Sequence, residues 1–267
     1  MVVVISISSI RGGVGKSSLS LELSLTLSTK GKVLLIDTDF YAPTLFNEVT
    51  SRAKGKILPS KSFSREVLKG LCEVRDAAVK VSTNFYVMFS DPKVNLWELN
   101  TDIGTKDFWI EDNPNKPSQA ELGLAKIKEY TENLSFDYIV FDSMAGMAYP
   151  VIFFSYLSTY PIFLARASIP QVDDVIGFVN LVGSSEKPIN LIWSNVPNID
   201  SYLQGTREKL TQIIGEKCGD RFNSLGYIPR DPEFEKAALE GLLTTVPNAL
   251  NSAYYKQLSV IINNMIK

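Results

Sequence analysis

Ser9-Ile10-Arg11-Gly12-Gly13-Val14-Gly15-Lys16-Ser17-Ser18 is the stretch of this sequence whose residue types suit the most specific chemistry. Closely spaced glycines let a backbone wrap tightly enough for successive N–H groups to face one anion. Lys16 adds a mobile ammonium, and Ser17 a hydroxyl of the kind that ligates Mg²⁺ in such loops. The helix expected to follow would turn its positive N-terminal end toward the same anion. Gly12, Gly13, Val14, Gly15, Lys16, Ser17 and Ser18 therefore read as a cradle for the phosphates of a nucleoside triphosphate. Two further places carry carboxylates at the ends of apolar runs: Asp37 and Asp39 after Val33–Ile36, and Asp142 after Tyr138–Phe141. A carboxylate buried at such a strand end is costly unless something such as Mg²⁺ compensates it.

These groups need elements to hold them. The apolar run Val2-Val3-Val4-Ile5-Ser6-Ile7 reads as a first strand leading into the glycine-rich loop. After the loop, Leu19, Leu21, Leu23, Leu25 and Leu27 alternate with polar residues, a strand-like period. A phosphate loop requires a helix there, with Leu19, Leu23 and Leu27 on one stripe and Leu21 and Leu25 nearly opposite. Such a helix is buried on two sides, and Gly31 is expected to stop it. Further β-rich runs at Val33–Ile36, Phe85–Phe89, Tyr138–Phe141, Pro161–Leu164, Ile189–Trp193 and Leu225–Ile228 alternate with helical or polar segments. Continuous apolar runs of this kind suit parallel strands covered on both faces. The expected fold is a single α/β domain over 1–267. Its doubly wound, mostly parallel sheet has helices on both faces, and the Asp37 strand lies next to the loop strand.

Composition narrows the function. The chain has 267 residues, of which 45% are hydrophobic and 21% charged, ordinary globular values that exclude a disordered chain. The net charge of −2 gives no global reason to expect nucleic-acid binding, although a local basic patch need not show in the sum. The sequence has no histidine and only two cysteines, Cys72 and Cys218, which excludes a Cys/His zinc site and a histidine base. The two cysteines read as buried thiols in a reducing compartment. The apolar stretch from Pro150 to Ala165 is interrupted by Tyr156, Ser158, Thr159 and Pro161, so it reads as a buried helix and then a strand. With no basic region before the first strand, a signal peptide is not expected, and the protein is expected to be soluble and cytoplasmic. The segment from Asp91 to Pro117, with Trp97 and Trp109, reads as a long surface excursion, or alternatively as a lid or partner-binding element.

The loop departs from the ordinary G-x-x-x-x-G-K-[ST] pattern, because Ile10 stands where the first glycine belongs. Arg11-Gly12-Gly13-Val14-Gly15-Lys16-Ser17 instead resembles the deviant P-loop K-G-G-x-G-K-[ST] of the ParA/MinD family, with Arg11 in place of its signature lysine. Asp37-Thr38-Asp39-Phe40-Tyr41-Ala42-Pro43-Thr44 is similar to that family's D-x-D segment, and closer to the D-x-D-x-Y-G-P-S form of Mrp-type relatives. Asp142-Ser143-Met144-Ala145-Gly146 resembles the D-S-P-A-G switch of MinD relatives. The resemblance implies a P-loop ATPase using ATP and Mg²⁺. Ser17, Asp37 and Asp142 would form the metal side, Asp39 would orient the attacking water, and Gly146 would let the switch swing. Lys16 and Arg11 would act on the phosphates. Asn195, after Leu191–Ser194, resembles the family's adenine-pairing residue, and Pro229 and Asp231 its base-flanking loop.

ParA/MinD proteins are ATP-dependent dimers in which two subunits sandwich two nucleotides. The resemblance thus implies an ATP-dependent homodimer with a slow, partner-stimulated ATPase that positions or segregates cargo. Its partner would be non-specific DNA or an adaptor protein. MinD relatives end in a basic amphipathic membrane helix. Here Ser252–Lys267 has helical apolar spacing but only Lys256 and Lys267 as basic residues, so it is expected to dock on the core. Two other readings share the fold: an Mrp-type metal-cluster carrier, which would need a C-x-x-C pair that Cys72 and Cys218 do not provide, and a carboxylate-activating ligase of the dethiobiotin or cobyrinate synthetase kind.

Overall fold

The computed structural model describes the chain except for residues 1, 55, 58–61, 94, 198–200, 248–249 and 266–267. Among the described residues, one eight-stranded sheet has the order β3-β4-β2-β5-β1-β6-β7-β8. Its strands are β1 (Val3–Ser9), β2 (Val33–Thr38), β3 (Ala78–Lys80), β4 (Phe85–Met88), β5 (Tyr138–Ala145), β6 (Tyr160–Arg166), β7 (Ile189–Val196) and β8 (Phe222–Pro229). All neighbours run parallel except the edge pair β3 and β4. The expected doubly wound α/β architecture is therefore present, with one rearrangement. The Asp37 strand, β2, does not lie beside β1; β5 is inserted between them and pairs with both. The topological switch point at the carboxyl end of β1, where ligands bind in such sheets, is thus flanked by β5 and β6.

One face of the sheet is covered by α1 (Lys16–Leu27), with α2 (Leu45–Arg52), α11 (Pro232–Leu239) and α12 (Ala253–Met265) around it. Leu19, Leu21, Leu23, Leu25 and Leu27 are all buried in this layer, which resolves their misleading alternation. The sheet takes one stripe, and neighbouring helices take the other. Even the intervening Ser20, Glu22, Ser24 and Thr26 are buried; Ser24 and Thr26 donate to carbonyls of their own helix, Ser20 donates to Asp142, and Glu22 accepts from the Tyr255 hydroxyl. Gly31 does not stop α1 in a left-handed turn; the helix ends at Ser28. Gly31 is needed for close approach instead, since a Cβ there would collide with the Asp137 carboxylate. The C-terminal helix α12 docks through Tyr254, Tyr255, Leu258, Ile261, Ile262 and Met265, as its spacing implied. Lys267 lies outside the described residues.

The opposite face carries α3 (Ser64–Leu68), α4 (Val74–Ala77), α7 (Gln119–Asn133), α8 (Tyr149–Leu157), α9 (Ile169–Val182) and α10 (Ser201–Cys218). The Asp91–Pro117 segment is no loose excursion. It folds as α5 (Leu96–Thr101) and α6 (Lys106–Trp109), and Leu99, Ile103, Phe108 and Trp109 enter the core. The Trp109 indole donates to the Ile103 carbonyl at 2.6 Å, and its ring packs against Phe153 and Phe154. Trp97 alone of the two tryptophans is exposed. Cys218 is buried, but Cys72 is only partly so, and both are free thiols. No helix among the described residues is long and apolar enough to cross a membrane.

Close packing makes one position sharply sensitive. A Cβ added to Gly123 of α7 would come within 2.5 Å of the Leu68 backbone in α3. Backbone cannot rotate aside as a flexible side chain can. Gly123→Ala is therefore expected to destabilise the fold by roughly 1–3 kcal/mol, the usual range for overpacking. Chemical denaturation would read this directly; an unchanged midpoint would show that the α3–α7 contact is slack.

Candidate functional site

The glycine-rich loop leaves β1 and enters α1 at the switch point. Gly13 and Gly15 both adopt left-handed backbone, with φ of +69° and +93°, which a side chain would strain. Gly15 is the N-cap of α1, and Leu19 N–H bonds its carbonyl at 2.9 Å. The first-turn N–H groups of Lys16, Ser17 and Ser18 thereby remain at the mouth of the site with the positive end of the helix. Lys16 is buried, whereas Arg11, Gly12, Gly13 and Gly15 are exposed at the rim. The Arg11 guanidinium is half exposed, and its Nε pairs with Asp174 of α9 at 2.8 Å.

Strand insertion builds the acidic side. In register, Asp142 of β5 stands opposite Asp37 of β2 and beside Ile7 of β1. Both carboxylates are buried. Asp142 accepts from Ser20 Oγ at 2.8 Å, and the Ser17 hydroxyl lies close enough to favour its ionised form. Asp37 accepts from Asp39 N–H at 3.0 Å. Each keeps one buried oxygen, Oδ2, with no partner. Burial pushes the Asp142 carboxyl up to about 7, against the pull of Ser17, Ser20 and Lys16. Burial, then repulsion from Asp142, raises Asp37 well above the ordinary carboxylate range.

Two paired, desolvated carboxylates with orphaned oxygens beside a serine hydroxyl fit a hard dication. No group of three or more acidic, histidine or cysteine residues converges among the described residues. Two carboxylates and a hydroxyl suit Mg²⁺, which is held by one or two carboxylates and otherwise by water and phosphate. Ser17, Asp37 and Asp142 would hold it. Asp39 is half-buried, and its Oδ1 accepts from Ala42 N–H at 3.0 Å, which fixes the turn that carries it. Gly146 has φ +106°, and its N–H donates to the Ser9 carbonyl at 2.9 Å, tying the end of β5 to the start of the loop.

On the other side of the loop, a cleft of about 170 Å³ joins Gly13–Gly15 and Ser18 to the ends of β7 and β8. Asn195, Pro229 and Asp231 all line it, so the structure brings the three late residues to the loop. Asn195 is exposed with left-handed backbone, φ +50°. Asp231 is already engaged. Its Oδ1 caps α11 by accepting from Glu233 and Phe234 N–H, and its Oδ2 accepts from Tyr254 N–H at 2.8 Å. Partial burial would raise this carboxyl, but these N–H groups hold it below its ordinary value. Asp231 therefore shapes the cleft by joining α11 to α12. The cleft also holds Ser194, whose buried hydroxyl has no partner, and the stacked pair Phe234–Tyr254 with ring centroids 4.2 Å apart. Ser20 and Ser194 carry no motif. Their only sequence signal is position: Ser20 lies one turn beyond Lys16, and Ser194 directly precedes Asn195.

A phosphate loop at the switch point, a buried acidic pair and an adjoining cleft define a P-loop nucleotide-binding protein. Residues 5–244 match the family model for the CobQ/CobB/MinD/ParA nucleotide binding domain, and the chain belongs to that family of ParA/MinD-type ATPases. The septum site-determining protein MinD of Buchnera aphidicola is 25% identical, the alignment spanning 94% of this chain and 88% of the relative. A plasmid partition protein of Borrelia burgdorferi, solved with AMPPNP bound, superposes with a TM-score of 0.69 at 24% identity, covering 100% of this chain and 99% of that one. The cell division ATPase MinD of Pyrococcus furiosus shares the fold with a TM-score of 0.69 at 21% identity, covering 99% and 98% of the two chains.

Proposed function

We propose that this protein is a Mg²⁺-ATP-dependent dimerisation switch that hydrolyses ATP slowly, under stimulation by a partner, and positions or segregates a cargo. The observation that carries this reading is the buried Asp37–Asp142 pair, aligned in register beside the Lys16–Ser17 loop. Such a pair destabilises the nucleotide-free protein, so it is explained by a site that gains a dication with its nucleotide. The metal supplies charge neutralisation of the phosphates. Gly12 to Ser18 wrap the phosphates with N–H groups, and Lys16 binds their oxygens. Asp39 orients the attacking water, a role that needs position more than basicity. Asn195 pairs with the adenine edge, with Pro229 and Asp231 forming the wall beside it.

Arg11 takes the role of the signature lysine by reaching the partner subunit's nucleotide. Its planar guanidinium keeps the charge and can bind phosphate oxygens bidentately. Its present partner is Asp174, so dimerisation exchanges an exposed ion pair for a phosphate contact. Partition and septum-positioning relatives support a cargo-positioning role, and the absence of a global positive charge makes DNA contact local if DNA is the cargo.

The test is size-exclusion chromatography of Asp39→Ala with Mg²⁺-ATP. Blocked hydrolysis should hold the nucleotide and trap a dimer, while the wild type with ADP elutes as a monomer. A variant that retains ATP yet stays monomeric defeats the switch reading. ATPase assays alone, with DNA and with liposomes assign the partner, since stimulation by either identifies the surface engaged. Turnover only with a small carboxylate substrate would favour the ligase reading instead.

A further inference from the structure

The carbonyls of the phosphate loop are tied down in alternation. Ser9 Oγ donates to the Arg11 carbonyl at 2.8 Å, Arg166 Nη2 donates to the Gly13 carbonyl at 2.8 Å, and Leu19 N–H donates to the Gly15 carbonyl at 2.9 Å. The first and last of these anchors belong to the loop's own strand and helix. Arg166 does not: it sits at the carboxyl end of β6, on the neighbouring strand. Its position is itself fixed, because its backbone N–H donates at 2.8 Å to Oε1 of Gln171, a buried residue in the first turns of α9.

A trans peptide unit is planar, and its C=O and N–H point in opposite directions. Holding the Gly13 carbonyl toward Arg166 therefore turns the Val14 N–H away from Arg166. Gly13 needs the help. Its backbone is left-handed and nothing lies within 4 Å of where a Cβ would sit, so on the Gly13 side no side-chain packing holds the peptide, while Val14 on the other side is buried in the core. Inward N–H groups also repel one another until an anion arrives, so a loop without such an anchor would relax by rotating its peptides.

We propose that Arg166 is a positioning residue that pre-organises the phosphate loop, holding the Gly13–Val14 peptide in its anion-binding orientation before nucleotide binds. This inference rests on the nucleotide-binding reading of the loop. Arg166 acts on the loop and not on the reacting phosphate, so its removal weakens every ligand bearing a polyphosphate. The base does not matter, and neither does the γ-phosphate. Pre-organisation of this kind raises affinity by lowering the ordering cost paid at binding.

The experiment titrates wild type, Arg166→Ala and Arg166→Lys with inorganic tripolyphosphate and with Mg²⁺-ADP by calorimetry. Arg166→Ala should weaken both ligands by a similar factor, roughly tenfold, the loss of about one hydrogen bond from a charged donor. Arg166→Lys, which still donates, should restore much of the affinity for both. In turnover the rise should fall on KM for ATP more than on kcat. Wild-type affinity for both ligands in Arg166→Ala overturns the inference. So does a fall in kcat with affinity unchanged, which would place Arg166 at the reacting phosphate. A wild type that binds neither tripolyphosphate nor ADP would overturn the nucleotide reading itself.

Discussion

Asp142→Asn is expected to stabilise the nucleotide-free protein and, in the same molecule, to remove its stabilisation by Mg²⁺-nucleotide. The amide keeps the acceptor used by Ser20 Oγ, and it replaces the unpartnered Oδ2 with a donor facing Asp37 across the β2–β5 register. Removing one desolvated carboxylate from a like-charged pair should gain roughly 1–3 kcal/mol. That corresponds to about 2–4 °C in melting temperature for each kcal/mol in a domain of comparable size.

The pH dependence has a definite sign. Folding raises the Asp142 carboxyl from 3.8 to about 7, so the native state holds this proton more tightly than the unfolded chain. Its favourable contribution is complete below the unfolded carboxylate range and is lost as pH climbs toward about 7. Thermal melts of the nucleotide-free wild type should fall across that window, and Asp142→Asn should flatten the fall. Adding Mg²⁺-ADP should raise the wild-type midpoint and leave the variant where it was. A variant less stable than wild type without nucleotide would show that the acidic pair is compensated from within the protein.

The second large effect lies away from the phosphates. Glu22 of α1 is fully buried, and it is bound by the Arg52 guanidinium of α2 and by the Tyr255 hydroxyl of α12 at 2.7 Å. Arg52 is itself buried and also pairs with Glu48. Burial raises the Glu22 carboxyl, and Arg52 and Tyr255 oppose that rise, so the ionised pair depends on its partners.

Arg52→Ala would leave the Glu22 charge stranded between three helices, at a cost of roughly 3–5 kcal/mol. The same pair replaced on both sides by neutral groups should cost far less, because most of the penalty is the uncompensated charge. Urea denaturation of Arg52→Ala, Glu22→Gln and the double variant forms the test. A strong positive coupling, with Glu22→Gln rescuing much of the Arg52→Ala loss, is expected. Additive losses would mean that solvent reaches Glu22 and the cluster carries little energy. Since Glu22 lies in the helix that begins at Lys16, the variant should also weaken nucleotide binding in proportion to the unfolding of that helix.

How much of this was legible from residues alone differs from one part of the molecule to another. The loop, the helix behind it and the place of Asp37 near the end of its strand were legible, because each depends on covalent spacing within a few residues; Asp142 lies within β5, which runs on to Ala145. The five leucines of α1 were readable only against their own period, since a helix buried on every side shows no amphipathic stripe. Trp109 could not be told from Trp97 by composition, because the difference between a core anchor and an exposed ring is made by Phe153 and Phe154 on a distant helix.

The sequence by itself therefore determined the chemical vocabulary: a phosphate-binding backbone, a cation, carboxylates at the ends of apolar runs, and a parallel sheet to carry them. Tertiary structure decided which of these meet. Inserting β5 between β1 and β2 set Asp142 opposite Asp37, and folding brought Arg166 to the Gly13 carbonyl and Tyr255 to Glu22. Strand order and helix docking are settled by the burial of whole faces, summed over many weak contacts between residues far apart in the chain. No local pattern carries that sum, so spacing names the groups and packing pairs them.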